Sequence, residues 1–262
     1  MRFAMAWAVV RREWREIVRN RLLVFTILIP PAILVALPLI VTSSSHPQPL
    51  PPEIAAAVVA SRPAWASMSP TELVAAFSLQ QFLSTFLILP GYIPLAIATF
   101  SIVGEKQSRS LEAVLATPIR TVELLGGKAV ASVVPGILAS WLAFATLVVL
   151  SSVLIGSAMT IVFTDPSWIA AVFVLGPAIG LVSVVAGLIV SSRVNDPRVA
   201  QQIGSLVILP VLAIVVIQTA TGRLFTAPEY VLGAVIVTAV GLVGLRAAAS
   251  LFGRETILTR WR

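Results

Sequence analysis

The sequence predicts an all-α integral membrane protein with six transmembrane helices, and three observations lead there. The 262 residues are 58% hydrophobic and only 11% charged, where a water-soluble domain carries about 25% charged residues. Apolar runs long enough to cross a bilayer, which takes about 20 residues, recur six times: residues 22–42, 79–103, 129–156, 168–191, 199–220 and 230–252. Finally, sixteen of the eighteen Lys and Arg fall in alternate connections, leaving only Arg62 and Arg223 for the other side. That split places both termini and the 104–128 connection on the cytoplasmic side by the positive-inside rule, and the expected location is the cell (plasma) membrane. The runs lack the period-two alternation of a barrel, and open strands cannot satisfy their backbone groups in lipid, so the spans are helices.

Two units follow: an interfacial segment, residues 1–21, and a single transmembrane domain, residues 22–262. In the first, Phe3, Trp7, Val10, Trp14 and Ile17 recur at helical spacing, while Arg11, Arg12, Arg15 and Arg19 fall mostly off that stripe. Such a helix lies in the membrane interface with Trp at headgroup depth, or else extends the first span into the cytoplasm; the amphipathic pattern favours the first. The apolar run begins only at Leu22 and no small-residue cleavage site follows it, so the segment does not read as a secretory signal peptide.

Between the first two spans, "SSSHPQPLPPE" is Pro-rich and irregular. Ser69, Pro70 and Glu72 then form a capping box with proline at the first helical position, so a helix starts there and runs into span two. Within that span "ILPGYIP" sets Pro90, Gly91 and Pro94 at mid-run, a kink or a bendable gate. Gly176 and Gly180 form a G-x-x-x-G pair in span four, read equally as a close contact or as loose small-residue usage.

The composition also excludes chemistry. Cysteine is absent and His46 is the sole histidine, which removes disulfides and thiolate metal sites, and no metal centre is expected. The net charge of +7 sits beside the apolar runs, the pattern of membrane orientation and not of nucleic-acid binding. No Asp, Glu, Lys, Arg or His falls in the apolar body of a span, Arg246 being able to snorkel. Proton relays and intramembrane enzymes need such groups, since a mid-bilayer charge costs roughly 2.5–3.5 kcal/mol and is kept for a use. A P-loop fails at Val122, where glycine is required, and at Ala129, where Ser or Thr is required. Any energy for transport is therefore expected from outside the chain, and no enzymatic activity within it.

The connection "GEKQSRSLEAVLATPIRTVELLGGK" interrupts the apolar pattern with seven charges in 25 residues. Leu111, Val114 and Leu115 make one apolar face, Pro118 stops the helix, and Thr121 with Glu123 opens the next one. Read alone, this is a short surface helix suited to passive packing or to docking. The stretch resembles the loop between spans two and three of ABC-2-type permeases, the membrane subunits of ATP-binding-cassette exporters, with their E-K/R-x-x-x-S/G-L-E-x-L-L-x-T-P and E-L-L-x-G-K patterns. "REWREIVRNRLLVFTILIPP" is similar to the family's connecting helix and first span, and "LFGRETILTRW" to its ending. Ser110 stands where the family often has glycine, and Gly126 replaces a larger residue.

The resemblance implies a type V exporter-like fold, a pair of permease copies (homodimer or paralogous heterodimer) in the lipid bilayer, and two separate ABC ATPase subunits that bind ATP and Mg. No cofactor is implied for this chain and no nucleic acid. The 104–128 connection becomes the coupling helix, with Glu105, Arg109, Glu112 and Arg120 as docking contacts, Leu111 and Leu115 as apolar anchors, and Arg12, Glu13 and Glu16 nearby on the connecting helix. A substrate path between protomers, along spans two and five, would include Tyr92, Thr99, Gln202, Ser205 and Gln218. Its mostly apolar wall suits a hydrophobic or amphipathic cargo. A stand-alone channel or secondary carrier is the competing reading; it predicts flux through this chain alone, without ATP.

Overall fold

The computed structural model describes residues 3–44, 49–107, 121–156, 159–194, 196–221 and 223–251. Among these residues there is no strand, and six helices are long and apolar enough to span a membrane: Arg21–Thr42, Pro70–Gln107, Glu123–Leu154, Pro166–Arg193, Pro197–Gln218 and Ala227–Arg246. They are spans one to six below. A separate amphipathic helix, α1, covers Phe3–Arg19.

Span two is the axis of the bundle. In its most apolar stretch 78% of residues are buried, against 61% for span four and 17–22% for the other four spans. Spans one, three, four and five pack around span two, and span six packs on span four. The outer spans leave rows of Leu, Val and Ile exposed, such as Leu142, Val149 and Val153 on span three and Val235, Ile236 and Val243 on span six. Such rows suit a lipid surrounding, which is as apolar as the side chains themselves.

The sequence dictates where span two breaks. Ser69 accepts from the Glu72 N–H while the Glu72 carboxylate accepts from the Ser69 N–H at 2.8 Å, so the capping box forms as the residues predict. The helix runs to Phe86, is interrupted at Leu87, and resumes as Ile88–Gln107. Pro90 has no N–H to give the Phe86 carbonyl and its ring crowds that group, which places the interruption one turn before the proline. Span two therefore extends beyond the expected 79–103 at both ends.

The prolines are seated on glycines. A Cβ built on Gly136 of span three would lie 2.4 Å from Pro94 Cγ. One on Gly180 would lie 3.1 Å from the Pro90 carbonyl oxygen, the carbonyl that Pro94 cannot satisfy for want of an N–H. Of the two readings of Gly176 and Gly180, close contact is the one observed, since the Gly176 position likewise faces Pro90 Cγ at 3.5 Å. Span four also contains a π turn at Ala170–Leu175, beside Pro177, and the Trp141 indole N–H donates to the Val172 carbonyl there at 3.3 Å. Local π geometry is a known way to absorb a lost helix bond.

Candidate coupling site at the basic end

Helix α1 packs against the start of span three through Val10, Glu13 and Ile17, all buried. The stripe includes Glu13 because positions 10, 13, 14 and 17 share one helical face. Trp14 is half-buried beside it and donates its indole N–H to the Ala131 carbonyl at 3.2 Å. A carboxylate on a packed face must find a cation, and Glu13 finds Lys128.

Lys128 Nζ lies 2.6 Å from Glu13 Oε1, 3.0 Å from Glu105 Oε2 and 2.6 Å from Ser101 Oγ. Lys128 is only 2% exposed, and Glu13 and Glu105 are 3% and 4% exposed. Arg12, on the solvent-facing side of α1, adds a looser contact to Glu105 at 3.5 Å and holds Glu16 at 2.9 Å. Partial burial opposes the Arg12 charge, yet the hydrogen bond and charge of Glu16, with Glu105 and Glu13 behind it, raise its pKa above the ordinary value. Glu13, Glu16, Phe100, Ser101 and Glu105 line part of a cavity of about 300 Å³ beside this cluster.

The arrangement joins three pieces of chain. Glu105 is at the end of span two and Lys128 near the start of span three, so the pair clamps the two stems of the 108–120 connection. Glu13 ties α1 to Lys128, and Arg12 ties it to Glu105. Lys106, next to Glu105, turns the other way: its ammonium donates to the carbonyls of Ser191, Ser192 and Val194 at 2.5, 2.8 and 3.2 Å, closing the end of span four. Chemically the cluster is a joint. Its ammonium is shared by two carboxylates and serves the Ser101 hydroxyl as a donor, and among the described residues no group of His, Cys, Asp and Glu could hold a metal ion.

Residues 7–246 of the chain match the sequence profile of the ABC-2 family transporter proteins. The chain belongs to the ABC-2 transporter family. It is accordingly a multi-pass membrane protein and a permease component of an ABC transporter, a class of membrane subunits that are not themselves catalytic. No curated protein matched it.

For an ABC-2 permease, the expected docking residues separate into three groups. Arg109, Leu111, Glu112, Leu115 and Arg120 lie outside the described residues. Arg12 and Glu16 keep substantial exposure, with side chains 42% and 52% accessible. Glu13 and Glu105 do not fit a surface contact: both carboxylates are buried on Lys128, so within this chain they are structural partners.

The expected pathway residues divide as well. Gln202 is exposed on span five and Ser205 half-buried, its hydroxyl donating to the Gln202 carbonyl at 2.7 Å. Tyr92 is half-buried. Thr99 points into the protomer, its hydroxyl bonded to the Leu95 and Ala96 carbonyls, and cannot line a path between copies. Gln218 is likewise fully buried, bonded to the Ser84 hydroxyl and 3.5 Å from the Tyr230 hydroxyl. Pro90, Gly91 and Pro94 are buried against spans three and four, so any bending at them works through helix packing and not through direct contact with cargo.

Lys128, Ser101 and Lys106 are the positions of this end that sequence reasoning missed. The available signal was a lysine inside the first turns of an apolar helix, with two glutamates elsewhere at the same predicted depth.

Proposed function

We propose that this ABC-2 permease is the membrane half of an exporter whose ATP is hydrolysed by separate ABC ATPase subunits. The observation that carries the reading is the Lys128 joint: two stems of one short connection and the amphipathic α1 are pinned at a single buried ammonium. A push on the 108–120 connection would then reach spans two and three and α1 together. Arg109, Leu111, Glu112, Leu115 and Arg120 are the proposed contacts for the ATPase, with Arg12 and Glu16 beside them on the exposed face of α1.

On this reading the basic end is cytoplasmic, α1 lies in the membrane interface, the membrane is the plasma membrane, and two permease copies pair over two ATPases that hold ATP and Mg. The exposed row Val199, Gln202, Ile203 and Leu206 on span five, apolar with one amide, supports a hydrophobic or amphipathic cargo moving outward along it. The test is co-reconstitution in vesicles of the permease with an ABC ATPase. ATP-dependent export requiring both chains is the expected result; flux through the permease alone, without ATP, would favour a channel or carrier.

A further inference from the structure

At the end of the bundle opposite the Lys128 joint, one guanidinium holds three separate connections. Arg62 follows the short helix Pro52–Ser61 in the connection between spans one and two. Its Nε lies 2.7 Å from Asp165 Oδ2, in the connection between spans three and four. Its Nη2 donates to the Phe225 carbonyl at 3.0 Å, between spans five and six. The Arg62 side chain is 9% exposed and that of Asp165 13%. Trp65, Val58 and Leu224 are buried close by in the sequence of the same connections.

Asp165 is also tied inward. Its other oxygen accepts from the Ser167 N–H at 2.8 Å and so caps span four. The Ser167 hydroxyl accepts from Gln80 Nε2, and Gln80 Oε1 accepts from the Trp168 indole, each at 3.0 Å. A polar seam thus runs from Arg62 down to span two, and a second group, Ser84, Gln218 and Tyr230, joins spans two, five and six. The seam's side chains bond one another, and Arg62 bridges the connections above them. A guanidinium is suited to this, because its planar fork serves a carboxylate and a carbonyl at once.

We propose that Arg62 is a positioning residue of the transport cycle: a clasp that holds the three connections closed at rest and is released during turnover. This rests on the ATP-driven reading above and on its orientation. The absence of cysteine from the chain makes single-cysteine labelling clean. Leu224→Cys places a thiol at a position 6% exposed, and Ala66→Cys places one at an exposed position of the Arg62 connection.

In membranes holding the permease with its ATPase, a membrane-impermeant maleimide should label Leu224→Cys slowly at rest and faster during ATP turnover. Adding Arg62→Ala should raise the resting rate about tenfold or more, since breaking a buried pair shifts such an equilibrium by over an order of magnitude, and should abolish the ATP response. Arg62→Lys, which keeps the charge but not the fork, should fall between. Equal rates in parent and Arg62→Ala, or a parent rate unchanged while phosphate release shows ATP being hydrolysed, would overturn the clasp. Ala66→Cys labelling only after permeabilisation would instead refute the orientation, and absence of hydrolysis the ATPase reading; in both cases the parent and Arg62→Ala rates in permeabilised membranes still decide whether Arg62 holds the connections closed at rest.

Discussion

Lys128 and Glu13 stand 115 residues apart in sequence, and their charged atoms lie 2.6 Å apart in a site closed to solvent. Neither would be tolerated there alone, because an unpaired buried charge is strongly destabilising. Lys128→Met leaves Glu13 and Glu105 without their shared cation and is expected to cost about 3–5 kcal/mol. Thermal unfolding in detergent measures this. The exchange Glu13→Lys with Lys128→Glu should not recover it fully, because Glu105 would then face a carboxylate.

Gly136→Ala should destabilise by roughly 1–3 kcal/mol, the usual cost of overpacking, because the new methyl would meet Pro94 Cγ at 2.4 Å. Gly104→Ala meets nothing within 4 Å and sits in a helix, so it should be neutral or stabilising by up to about 1 kcal/mol. The same unfolding assay separates the two, and Gly136→Ala combined with Pro94→Ala should lose less than Gly136→Ala alone.

Gln218→Leu removes the amide shared with Ser84 and Tyr230 and leaves buried hydroxyls short of a partner. A loss of about 1–3 kcal/mol is expected. Gln202→Leu, on the exposed face of span five, should leave unfolding unchanged and alter transport of cargo instead. Comparing stability with export for the two variants distinguishes a core amide from a path-facing one.

Lys106→Met should loosen the end of span four, where the ammonium serves three carbonyls. Faster amide hydrogen exchange confined to residues around 190–194 is the expected signature, since the last turn of a helix opens locally before the whole.

Span number, helical type and the capping box at Ser69 were legible because each depends on local pattern: apolar run length, charge distribution, a Ser-Pro-x-Glu spacing. The seat of the span-two prolines was not, because Pro94 and Gly136 are joined only by the way two helices cross. The face of α1 was read correctly at Val10 and Ile17, yet Glu13 on the same face looked like a surface charge. A glutamate's burial depends on whether a lysine waits opposite, and Lys128 belongs to a different helix. For the same reason Thr99 and Gln218 read as path-lining polar groups, whereas Thr99 lies in the enclosed span two and Gln218 turns from span five onto Ser84 of span two. The pairing of Arg62 with Asp165 crosses two connections and leaves no mark in either.

The central claim is that a separate ATPase acts on this permease through the connection held by Lys128. A photo-activated cross-linker attached to Leu111→Cys, in membranes where both chains are present, tests it most directly. The account predicts that the captured chain is a nucleotide-binding subunit, identified by labelling with an azido-ATP analogue, and that the cross-link yield changes when ATP is added. A linker at Leu111 that captures only lipid, together with cargo export that persists when the ATPase is omitted, would contradict it.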